Sequence, residues 1–182
     1  MNTIQSGTYA IDATHTNVEF AVKHMMITTV KGRFSDVKGA VTIPESGEPT
    51  VDVTIAAASI DTRVEARDTH LRSADFFDVE QFPELRFVSA KVRRTDDGYQ
   101  LVGDLTIRGV TKPVTLTVAE EGAGTDPWGN QKASFSATGK FNRSEFGLSW
   151  NAALETGGVL VSDEVKVSID AQLVLQQEPA AV

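Results

Sequence analysis

Three histidines, His15, His24 and His70, and three aspartates spaced seven apart, Asp61, Asp68 and Asp75, are the residues on which acid–base or metal chemistry would rest. A metal site needs three or four convergent ligands. His15 and His24 stand nine positions apart, so in one unbroken strand they face opposite sides. His15 reads as a turn histidine bonded to local backbone. His24 reads as a satisfied histidine near a strand end, or as a polar contact inside a cavity, because it shares a face with Phe20 and Val22. The three aspartates read as caps and helix charge patterning. The chain lacks a G-x-S-x-G elbow, an H-E-x-x-H pair and any cysteine, which removes those nucleophiles, thiolate metal sites and disulfides. Gly122, Gly124 and Gly129 fit neither glycine-rich phosphate loop. His24 or His70 with a carboxylate remains as an isolated acid–base pair, which alone supplies only ~10²–10⁴-fold. No catalytic residue is assigned, and no metal or cofactor is required.

One stretch concentrates charge, TRVEARDTHLRS at 62–73. Thr62-x-x-Glu65 is a capping box, which predicts a short helix starting there. Val64 and Leu71 lie together on the wheel and should face the interior. Arg63, Arg67 and His70 fall within about 60° of one another on the adjoining face, while Glu65 and Arg72 point away. The following DFFDVEQFP sets Phe76, Phe77, Val79 and Phe82 close together before Pro83. The charges fit either a solvated surface network with Glu65 and Asp68 or a polar contact beside an apolar patch.

The elements that must position these residues are strands. Period-two alternation places Val18, Phe20 and Val22 on one face, then Leu101, Gly103, Leu105 and Ile107, then Val114, Leu116 and Val118. It continues through Phe135, Ala137, Gly139 and Phe141, and through Val165 to Leu175. The last run spans ~36 Å at ~3.3 Å per residue, about twice an ordinary strand. Phe34 and Val37 sit out of phase, so a bulge near Ser35-Asp36 is expected. Ile60 is likewise out of phase with Val51, Val53 and Ile55. PESGEP, TDDG and EGAGTDPWGNQ read as hairpin connectors, NAALETGGVLVSD as a longer loop, and the tail QQEPAAV as frayed. One domain over 1–182 is expected.

The chain of 182 residues is 41% hydrophobic and 23% charged, with net charge −8. That acidity disfavours nucleic acid and adhesion to an anionic membrane by net charge. No apolar run reaches the ~18 residues of a spanning helix, so no stable membrane insertion is expected. MNTIQSGTYAIDATHT carries no leader pattern. A cytoplasmic location is expected, or a periplasmic or secreted one if a leader has been removed. Eight or so strands closing into a barrel leave room for side chains or one small ligand. Gly103, Ala137, Gly139, Ala171 and Ser89 on inner rows suggest a slot; a solid sandwich core shows the same alternation.

YAIDATHTNVEFAVKHM (9–25), VKGRFSDVKGAV (30–41), IDTRVEARDTHLRSADFFDVEQFPELRFVS (60–89), LVGDLTIRGVTKPVTL (101–116) and FNRSEFGLSWN (141–151) together resemble the YceI-like family, lipocalin-like polyisoprenoid-binding proteins of bacteria. The resemblance implies an all-β, lipocalin-like antiparallel eight-stranded barrel with a short helix inserted around 62–73. It implies a long-chain isoprenoid or fatty ligand, such as a polyprenyl pyrophosphate or a quinone tail, in an apolar channel, and allows a homodimer. It brings no established catalytic activity. On that reading Val64, Leu71, Phe76 and Phe77 meet the ligand's chain. Arg63, Arg67 and His70 meet a polar or anionic head, since guanidinium suits phosphate. Phe20, Val22, Phe87, Leu105 and Phe135 point inward, joined by His24 and Phe34. Phe146 and Trp150, in FGLSW, shape or plug a barrel end. An enzyme acting on such a lipid and a solid-cored stress-related interaction module are the competing readings.

Overall fold

The computed structural model describes residues 4–177. Its strands are β1 (Gly7–Ile11), β2 (Asn17–His24), β3 (Thr28–Phe34), β4 (Val37–Ile43), β5 (Thr50–Ala56), β6 (Ile60–Asp61), β7 (Glu84–Thr95), β8 (Gly98–Ile107), β9 (Val110–Thr125), β10 (Gln131–Asn142) and β11 (Glu164–Leu175); the helix is α1 (Glu65–Arg72). Eight of them close a ring in the order β1-β4-β5-β7-β8-β9-β10-β11, with β11 returning to β1. All ladders are antiparallel, so the molecule is an up-and-down barrel with no free edge around the ring.

The first three staves are bent. β2 continues β1 along β11, β3 continues β4 beside β2, and β6 continues β5 beside β3. The bends fall at one level, at residues 12–16, at Ser35-Asp36 and at the 3₁₀ turn Ala57–Ser59. Ser35 N–H donates to the Ser59 carbonyl at 3.3 Å, and Ala56 N–H donates to the Asp36 carbonyl at 3.0 Å. The phase changes expected at Phe34/Val37 and at Ile60 are these bends. Each returns the apolar side chains to the interior after the chain has turned.

Asp12 fastens the first bend. Its carboxylate accepts from the Thr14 hydroxyl (2.7 Å), Lys132 Nζ (3.0 Å) and Gln172 Nε2 (3.0 Å), and meets His15 Nδ1 at 2.9 Å. The Thr14 hydroxyl, then His15, Lys132 and Gln172, hold this carboxyl well below the usual carboxylate range against the opposing effect of burial. His15 is therefore bonded locally, but to a carboxylate and to Thr14 rather than to backbone.

The lower end carries the hairpins at 44–49, 96–97 and 126–130. The upper end carries the Met25-Met26-Ile27 turn and the two-residue turn Arg108-Gly109. Arg108 and Gly109 both have positive φ, 50° and 74°, the type I′ signature. An Arg-Gly pair is a weak sequence signal for it, and the turn had not been expected.

The helix is shorter than the 62–73 expected, and the capping box does not form. Val64 occupies the cap position in extended conformation with no side-chain cap bond. Instead Asp68, buried at 4% exposure, reaches back and accepts from both Thr62 N–H (2.9 Å) and the Thr62 hydroxyl (2.6 Å). A buried carboxylate that takes two donors outcompetes the exposed Glu65. Arg72 does not point away either: Nε donates to the Ala58 carbonyl and Nη2 to the Ile60 carbonyl, each at 3.0 Å. This fastens α1 to the third stave. Of the tail expected to fray, residues from Glu178 on lie outside the described residues. Among the described residues no helix is long and apolar enough to cross a membrane.

Candidate functional site

Inward-facing rows of all eight staves surround a cavity of about 1090 Å³ that runs from Ile43 and Pro49 at the lower end to His70 and Trp150 at the upper end. The barrel is hollow, which decides against the solid core that alternation alone had allowed. Its wall is made by Phe20 and Val22 from β2, Phe34 from β3, Phe87 from β7, Leu105 from β8 and Phe135 from β10. These alternate with residues that face outward, most of them polar, so one face of each strand supplies the apolar lining.

The slot expected from the small residues on the inner rows is present, and the glycines open it through their neighbours. Gly103 faces the ring of Phe87, and a Cβ at Gly103 would overlap it; Gly32 stands in the same relation to Phe20. The glycines let the rings lie back against the wall, which leaves the axis open. Ser89 is not part of the lining; it sits at a register shift in β7 and its hydroxyl accepts from Val51 N–H at 2.8 Å.

The upper end is closed by α1 and the segment after it. Arg108 Nη1 donates to the Phe76 carbonyl (3.1 Å) and Ala57 N–H to the Pro83 carbonyl (2.9 Å). The rings of Phe34 and Phe77 meet at 5.8 Å between centroids, edge to face. His70 stands edge-on to Trp150 (4.7 Å) and to Phe76 (5.1 Å), and its Nε2 lies 2.8 Å from Asp75 Oδ2. Val64, Leu71, Phe76 and Phe77 present apolar surface here, with Arg67, His24 and Trp150 on the same end of the lining. Arg67 Nε donates to the Thr62 hydroxyl at 2.7 Å and Nη2 to the Thr62 carbonyl at 2.9 Å. Two of its five N–H groups are thereby used, and the guanidinium is held at the cavity rim.

Two expected residues lie elsewhere. Arg63 is exposed and does not line the cavity. It precedes α1 with φ 64°, its N–H donating to Asp61 Oδ1 at 2.8 Å. The helical wheel failed for it because the helix begins two residues later. Phe146 is fully buried, packed edge-to-face on Phe141 at 5.2 Å, and sits behind the lining. It plugs the upper wall.

Arg143 was missed. It is 5% exposed and spends its guanidinium on four carbonyls, of Ser162 (2.9 Å), Leu148 (2.6 Å), Trp150 (2.8 Å) and Val161 (3.3 Å). Burial pushes its pKa down, partly opposed by Asp163. This one side chain organises the 148–162 loop over the upper end, and it also lines the cavity. FNRSEF offers no local pattern for that role, since its partners are 5 to 19 residues away. At the lower end Arg94 and Tyr99 reach the cavity, also unforeseen. Among the described residues no group of three acidic or imidazole side chains is placed to hold a metal ion.

The family model described as "YceI-like domain" matches residues 9–173. The chain belongs to the YceI-like family. A UPF0312 protein of Staphylococcus aureus (strain USA300) is 37% identical over 172 residues, 93% of this chain and 98% of the relative. A UPF0312 protein of Serratia proteamaculans is 42% identical over 77% of this chain and 75% of its own length. Among solved structures, the YceI protein of Campylobacter jejuni superposes with TM-score 0.73 at 31% identity, covering 97% of this chain and all of that one. A polyisoprenoid binding domain from Saccharophagus degradans has TM-score 0.68 at 14% identity, over 94% of this chain and 100% of that one, and shares the fold. The family resemblance drawn from residues 9–25, 30–41, 60–89, 101–116 and 141–151 is therefore upheld, as is the eight-stranded antiparallel barrel with one short helix.

Proposed function

We propose that this YceI-like barrel binds a long-chain isoprenoid-type lipid, with a polyprenyl pyrophosphate or quinone head, and sequesters or carries it. The observation that carries the reading is the apolar cavity of about 1090 Å³ along the barrel axis. An apolar chain buried there gains ~0.8 kcal/mol per CH₂ removed from water, so affinity needs no bond to the protein. The polar groups of the upper end, Thr62, Arg67, His70 and His24, meet the head, with Phe76, Phe77, Leu71 and Val64 against the first part of the chain. The related fold of a protein described as a polyisoprenoid binding domain supports the same class of ligand. Binding without turnover is the proposed activity.

Native mass spectrometry of the purified protein, followed by solvent extraction, tests this. A released long-chain species near one per chain is expected. A mass equal to the bare chain, unchanged after incubation with polyprenyl and quinone lipids, would overturn the reading. Conversion of the bound lipid to a new mass over time would replace binding with catalysis.

A further inference from the structure

We infer that the upper rim of the barrel docks on an anionic lipid bilayer, through the Met25-Met26-Ile27 turn and the lysines beneath it. The inference deepens the lipid-binding reading and rests on it, since it names the surface across which the ligand is exchanged.

The turn is apolar where a hairpin tip is ordinarily polar. Met25, Met26 and Ile27 are 41%, 62% and 75% exposed. Met25 and Met26 hold left-handed backbone, φ 52° and 57°, a conformation that favours Gly, Asn or Asp. Two methionines in that position oppose the local backbone preference while leaving much of their apolar surface in solvent. Ile27 N–H donates to the His24 carbonyl, so the turn is closed and projects as a unit. Met25 N–H donates to the Leu160 carbonyl, which sets the tip beside Val159, also exposed. His24, next in the chain, lines the cavity, as does Val64, which is 46% exposed. Exposed apolar surface is therefore continuous with the cavity lining at this rim.

The charge below the tip fits an anionic headgroup layer. Ala21 pairs with Lys31 on one side and Lys166 on the other, and Lys166 pairs with Lys140, so three lysines share one cross-strand row on the outer face. Lys23, nearer the tip, also points outward. Of the acidic groups on this face, Glu164 is paired with Lys140 and Asp61 with Arg33, Glu19 stands opposite Arg33, and Asp170 lies four residues further down the strand from Lys166, away from the tip. Lys23, Lys31 and Lys166 make no ion pair among the described residues. The row lies four residues from Met25, or ~13 Å at ~3.3 Å per residue, within reach of long side chains that extend toward headgroups. A net charge of −8 conceals this local excess of cations; surface lysines act over a Debye length, not over the whole molecule.

Flotation of the full chain with phosphatidylglycerol–phosphatidylcholine (1:1) vesicles tests the inference. The protein should float with these vesicles and markedly less with pure phosphatidylcholine. The triple variant M25S/M26S/I27S should lose at least tenfold in partitioning. K23Q/K31Q/K166Q should lose on the order of a hundredfold, about fivefold per lysine, along with its salt dependence. Trp128→Ser, at the opposite end, should bind as wild type. Circular dichroism melts confirm that the variants fold. Failure of the wild type to float, or flotation of both triple variants equal to that of the wild type, overturns the inference. So does a tip variant that abolishes a wild-type dimer in sedimentation velocity while vesicle binding is unaffected; the rim then covers a second copy. Lipid content by native mass spectrometry is measured in parallel. A loaded protein that ignores vesicles removes only the docking surface, and an empty one that binds vesicles removes the lipid-carrier reading.

Discussion

The ring of Phe87 lies against Gly103 on the neighbouring strand, in the space a side chain at Gly103 would fill. The pair sets the bore of the barrel. With Gly103 the aromatic ring rests on the wall, whereas any larger residue would drive it toward the axis.

Gly103→Val should therefore narrow the channel and strain the β7–β8 contact. Overpacking of this kind costs about 1–3 kcal/mol. A lower urea midpoint together with reduced uptake of the longest polyprenyl lipids is expected. Unchanged uptake across chain lengths would show that this ring does not limit the bore.

Asp68→Ala should destabilise the protein by about 2–3 kcal/mol, since it leaves the buried Thr62 N–H and hydroxyl without their acceptor. Asp68→Asn retains an acceptor oxygen and should cost less. Equilibrium urea unfolding of the two variants separates these outcomes; equal, small effects would mean that Thr62 finds another partner.

Arg67→Ala should weaken a pyrophosphate-headed lipid by tenfold or more, because charge-assisted hydrogen bonds are worth about 1.5–3 kcal/mol, and leave an uncharged polyprenol almost unaffected. Arg63→Ala, outside the cavity, should change neither. Competition against a fluorescent lipid reads both. Equal loss for the two ligands would indicate that Arg67 acts only through its bonds to Thr62.

Asp12 gives a pH dependence of definite sign. Its carboxyl is held below the ordinary value in the folded state, so the stability it adds is complete above the unfolded pKa of about 3.9. That stability is lost as the pH falls from there through the folded value. Between pH 4 and pH 2 the wild type should lose more stability than Asp12→Asn. Urea midpoints at pH 7, 4, 3 and 2 test it, and parallel curves would remove Asp12 from the acid response.

Met25→Asn/Met26→Gly should raise stability by about 1 kcal/mol, because both residues hold left-handed backbone. The same change should lower vesicle binding. A variant that gains stability and retains full vesicle binding would uncouple the turn's strain from docking.

Strands and their inward rows were readable because period two is a property of the extended chain itself. Phe20, Phe87, Leu105 and Phe135 line the cavity where alternation put them. The bends at Ser35-Asp36 and before Ile60 were visible as phase changes for the same reason. What local periodicity could not carry was any choice between competing partners distant in sequence. Thr62 takes Asp68 rather than Glu65 because only Asp68 is buried there, which shortens α1 and turns Arg63 out of the site. Arg143 collects carbonyls as far away as Ser162, and nothing in its neighbours foretells them. Alternation is identical for a solid and a hollow barrel. The cavity exists because eight staves close at a fixed radius and because aromatic rings fold back over glycines on adjacent strands, a relation that only the tertiary pairing creates.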